Sequence, residues 1–219
     1  MAYTDCCQKR LIELAKSIES HKEHQYAAPT YKDVPALNEM AQIVKTQLES
    51  EKMHDKSTLT DSITVLRYLA DAFESMWRIA YTVKYHARLL ELQAELYERF
   101  SETDDNFADD YYKALRARNY YQNDDCADLK RLARIILPTE DCKDIENRLI
   151  GQKQRLLRDP VELSEKYLSV IDEVERKIDE SGIDKGLTHG RVQLKAKLLN
   201  EYGIDWKSVI CLNPNVHFD

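Results

Sequence analysis

From Leu66 to Tyr97, every third and then every fourth residue is uncharged: Leu66, Leu69, Phe73, Met76, Ala80, Val83, Ala87, Leu90, Ala94 and Tyr97. The two interleaved heptad series mark a helix packed along its whole length. No glycine or proline interrupts residues 61–100. The pattern therefore predicts one very long coiled-coil-like helix at about 61–100, roughly 60 Å at the usual rise per residue. Before residue 80, Val65, Ala70, Ala72, Trp77 and Ile79 widen the stripe into a broad bundle-facing surface. After residue 84, a second stripe forms at Tyr85, Leu89, Leu92 and Leu96, almost opposite the first. A helix apolar on two opposite sides packs between two partners. Either helices of the same chain cover both faces, or the second face meets a neighbouring subunit. Large apolar faces commonly serve as interfaces, which favours assembly. Tyr85, Leu89, Leu92 and Leu96 are accordingly candidate interface residues.

The flanking segments read as shorter helices. The first covers about Thr4–His24, and the second begins at Asp33–Pro35. Thr60 is placed to cap the long helix. Others follow at about Phe107–Gln122, Asp124–Leu137 and Thr139–Arg158. Asp159-Pro160-Val161-Glu162 signals a further start. Residues 181–190 hold three glycines and read as a hinge. A last helix covers about Arg191–Tyr202. The expected fold is all-α: a multi-helix bundle over 1–181, with a small helical C-terminal appendage over 182–219.

Composition sharpens this in three ways. All five glycines lie in the last 70 residues, which suits long helices rather than strands. Residues 91–129 carry eleven acidic and four basic side chains, so the net charge of −7 is concentrated there. An acidic middle argues against a general polyanion binder. No apolar run is long enough for a membrane span, and the N-terminus lacks a signal-peptide core. The five cysteines are odd in number, with no CxxC pair and no disulfide-scaffold density, so a reducing cytoplasm with buried or idle thiols is expected.

Candidate chemistry is sparse. There is no nucleophile elbow, Walker loop or dinucleotide fingerprint, so a non-enzymatic role without a cofactor is favoured. A carboxylate–histidine metal site would need paired Glu-x-x-His spacings; the chain has one, Glu51 and His54, with His21 and His24 sharing another face. These read better as solvated residues near helix ends, and no metal ligand is assigned. The acidic run "SETDDNFADD" lacks the alternation of a calcium loop. Tyr112, Arg116 and Tyr120 form an aromatic–arginine cluster suited to a protein interface. The segment "KLLNEYGIDWKSVI" has a helix-turn-helix rhythm, with Asp205 as the second helix's cap. Arg191, Lys195, Lys197, Lys207 and Ser208 would then contact nucleic acid. Three readings follow in order: a helical assembly or adaptor protein with a protein partner or a second copy, a DNA-associated protein, and a helical carboxylate–histidine metalloprotein.

Overall fold

A computed structural model describes residues 5–21, 28–50, 54–121, 126–150, 156–183 and 189–216. Among these residues there is no strand, only an isolated bridge between Tyr121 and Arg158. The helices are α1 (Asp5–Ser20), α2 (Val34–Ser50), α3 (Lys56–Ser75), α4 (Ile79–Phe100), α5 (Phe107–Arg118), α6 (Ala127–Ile136), α7 (Thr139–Ile150), α8 (Glu165–Glu180), α9 (His189–Glu201) and α10 (Val209–Leu212). The all-α expectation holds.

The single long helix does not. The chain stops at Ser75, reverses, and restarts at Ile79. Trp77 takes the left-handed conformation, with φ of 58°. The Trp77 N–H donates to the Glu74 carbonyl and the Arg78 N–H to the Phe73 carbonyl, both at 2.9 Å. These are the closing bonds of a left-handed helix stop, a position where glycine is usual. α3 and α4 therefore pack as an antiparallel hairpin. Phe73 stacks on Tyr81 and Tyr85 at centroid separations of 4.7 and 5.5 Å near the turn. Lys56 and Glu102 pair near its open end. The heptad register survives because each arm carries its own core face, and the two faces happen to continue in phase across the turn. Asp55, rather than Thr60, caps α3 by accepting from the Thr58 N–H. The Thr60 hydroxyl instead donates back to the Lys56 carbonyl.

Two compact units divide the described chain. The first comprises residues 1–117 and 126–151. Here α4 lies between two partners of its own chain. Tyr85 stacks on α3, while Leu90 joins Phe107, Tyr111, Leu115, Leu129 and Ile145 from α5, α6 and α7 in one buried cluster. Tyr85, Leu89, Leu92 and Leu96 are all buried. This corrects their assignment to an intermolecular face: the second stripe is covered from within, because the hairpin doubles the helix surface available to it. Each such fully buried aliphatic or aromatic side chain contributes about 1.5–3 kcal/mol to folding. The Arg67 guanidinium ties the hairpin to the next segment. It donates to Asp110 and Asp104 at 2.7 and 2.8 Å, and Gln93 also donates to Asp110.

The second unit comprises residues 118–125 and 152–219. The expected boundary at 181/182 falls inside it, where Asp179 pairs with Arg191 and Glu175 with Lys195 between α8 and α9. Buried Glu162 accepts from Arg158, Tyr121 and Trp206. Pro160–Leu163 forms a short 3-10 turn, and Ser164, not Asp159, caps α8. Gly203, with φ of 68°, makes the turn after α9. The helix beyond it is only one turn long and is capped by Ser208, not Asp205.

Candidate metal centre

Asp71 and Glu74 stand three apart on the last turns of α3, a spacing that puts both carboxylates on one face. The hairpin returns α4 so that His86 meets them. One oxygen of each carboxylate and one His86 ring nitrogen all lie within 4.8 Å of one another. Across from them, α5 offers two cations at the same spacing of three. Lys113 Nζ lies 3.0 Å from Asp71 Oδ1 and 3.3 Å from Asp109 Oδ2. The Arg116 guanidinium is hydrogen-bonded to Glu74 Oε1.

His86 is 0% exposed, and neither of its ring nitrogens has a protein hydrogen-bond partner among the described residues. Burial pushes its pKa down to about 4; Asp71 pulls the other way, while Lys113 and Arg116 reinforce the fall. The imidazole is therefore neutral at pH 7, with a nitrogen lone pair free for a metal ion. Burial alone would lower Lys113, but Asp71 and Asp109 outweigh it and hold its pKa above the ordinary value. One neutral imidazole with two carboxylates is a donor set for a divalent transition metal.

The residues singled out from sequence are arranged differently. His54 has both ring nitrogens engaged, one with Glu95 and one with the Leu48 carbonyl, each at 2.9 Å. His21 is bonded to Asp33 at 2.7 Å. Glu51 and His24 lie outside the described residues, as do residues 184–188 of the 181–190 hinge. Cys126 and Cys142 are buried as expected, whereas Cys6 and Cys211 are exposed. Tyr112 receives Arg116 and Arg148 over its ring, at 5.9 and 4.4 Å from the centroid. Tyr120 belongs to the second unit, where its carbonyl accepts the Arg158 N–H.

Of the nucleic-acid candidates, Arg191 and Lys195 each hold a carboxylate of α8 at 2.6 Å. Lys195 also lies over the Trp206 ring at 5.1 Å. Lys197 and Lys207 are exposed, and Ser208 is buried as a cap. Lys195 and Trp206 line a cleft of about 150 Å³ with Ile178, Val192 and Val209. Its cations already have carboxylate partners, so it has no ready charge for an anion.

Sequence reading missed Asp71, Glu74 and His86. On one continuous helix, residues 71 and 86 would lie about 22 Å apart. The available signal was an Asp-x-x-Glu pair on the arm that ends at Ser75, facing a histidine on the next arm. It is visible only once the hairpin is known. No known protein family, curated protein or solved structure matches the chain.

Proposed function

We propose that this chain is a helical carboxylate–histidine metal-binding protein, holding a divalent transition metal between α3 and α4 through Asp71, Glu74 and His86. The carrying observation is His86, buried beside two carboxylates with neither ring nitrogen hydrogen-bonded among the described residues. An unsatisfied buried polar group costs about 1–3 kcal/mol, so native structures seldom leave one beside available ligands without a role for it. Three protein ligands leave further coordination positions for water or a small ligand. No described helix is long and apolar enough to cross a membrane. The free thiols support a reducing compartment such as the cytoplasm.

Cobalt(II) titration, followed by visible absorption with zinc competition, tests the reading. The wild-type chain should show a nitrogen–oxygen spectrum without thiolate charge-transfer bands. Asp71→Asn/Glu74→Gln and His86→Gln should each bind far more weakly while keeping native helical circular dichroism. Equal affinity in wild type and variants, or a thiolate spectrum from exposed Cys6 or Cys211, would remove the proposal.

The adaptor reading keeps one specific observation. Trp77 is 70% exposed at the hairpin tip, in a backbone conformation better suited to glycine. An exposed tryptophan on a rigid turn is a common anchor for a protein partner.

A further inference from the structure

We propose that Lys113 and Arg116 are the metal's built-in competitors, so that a divalent ion enters this site by exchanging with the two cations of α5. The inference rests on the metal reading above and assigns that site a regulation.

Asp71 and Glu74 on α3 match Lys113 and Arg116 on α5 pair for pair, each set spaced by three residues. Counting Asp109 as well, three carboxylates meet two cations here. A dication added while both cations stay would turn that net negative charge positive. Three of the four side chains are partly shielded from water, with Lys113, Glu74 and Arg116 at 24–27% exposure, while Asp71 is 47% exposed at the rim. Repulsion there is less screened than on an open surface. If the cations leave, Asp71 and Glu74 balance the dication between them.

Both cations have somewhere to go on their own helix. Lys113 already lies 3.3 Å from Asp109 Oδ2, one turn back on α5 and largely exposed. Arg116 already stands over the Tyr112 ring. Each therefore has a second partner that the metal does not use. Metal occupancy and the α3–α5 ion pairs become mutually exclusive, and the coupling is reciprocal: whatever draws α5 away tightens metal binding by the same factor.

The test uses the full chain and cobalt(II) or zinc alone. Lys113→Met/Arg116→Met should bind metal at least about tenfold more tightly than wild type, because the competing charges are gone. Lys113→Met alone, a milder change, should show a smaller gain in the same direction. In wild type, acylation of Lys113 by an amine-reactive reagent, read by peptide mass spectrometry, should speed up when zinc is added. Unchanged or weaker binding in both variants, or Lys113 reactivity indifferent to zinc, overturns the exchange while leaving the metal site standing. Wild-type binding that survives Asp71→Asn/Glu74→Gln instead removes the site itself, and the exchange with it.

Discussion

Two buried titratable residues meet the loss of water in opposite ways. His86 is neutral and has no hydrogen-bond partner among the described residues, whereas Asp33 is charged and fully bonded. Asp33 is 1% exposed. It accepts from the Thr30 N–H at 2.7 Å, the Thr30 hydroxyl at 3.1 Å and His21 Nδ1 at 2.7 Å. Burial alone would raise its pKa, but the Thr30 N–H, His21 and the Thr30 hydroxyl outweigh burial and hold it below 3.8. A folded pKa below the unfolded one means that the charged form stabilises the fold. That contribution is complete above the unfolded value and disappears as pH falls through the folded one. Asp33→Asn should therefore cost about 1–2 kcal/mol at neutral pH, as measured by urea denaturation. The gap between wild type and variant should close below about pH 4. A gap that stays constant into acid would mean that the carboxylate charge is not what matters there.

At the scale of elements, the α3–α4 turn explains both what was legible in the sequence and what was not. The helices were legible because their apolar positions recur at helical spacing and glycine is absent from the first 150 residues. The reversal was not, because its left-handed residue is Trp77 and not the glycine that normally marks one. The residues of the proposed metal site were hidden for the same reason, since their meeting is a product of that turn. The strain at Trp77 is itself measurable. A side chain at that φ costs roughly 1–2 kcal/mol relative to glycine, partly offset by glycine's greater freedom when unfolded. With its ring largely in solvent, Trp77 gives up little packing when removed. Trp77→Gly should raise the urea midpoint by an amount equivalent to up to about 1 kcal/mol, at an unchanged m-value. Trp77→Val should lower it, since branching at Cβ aggravates the left-handed conformation. If the glycine variant is clearly less stable, the ring must contribute more at the hairpin tip than its exposure suggests.

For the whole molecule, the hairpin turns two apparent requirements for outside partners into internal ones. Part of the acidic middle of the sequence is paired within the first unit: Glu102 with Lys56, Asp104 and Asp110 with Arg67, and Asp109 with Lys113. The second apolar stripe on α4 is buried within the first unit. A neighbouring subunit is therefore not needed to cover either. Sedimentation equilibrium of the metal-free chain should return the monomer mass of 25.6 kDa across a wide concentration range. Among the described residues, the large exposed hydrophobic side chains are Ile12, Tyr31, Trp77, Ile150, Leu156 and Val216, scattered in sequence. Single apolar side chains on a surface are ordinary and do not by themselves drive self-association. A doubled mass that persists in Trp77→Ala would contradict this, and would require an interface built elsewhere than on the hairpin tip or the buried stripe. A doubled mass lost in Trp77→Ala would instead place a second copy at the tip, where the adaptor reading puts a different protein.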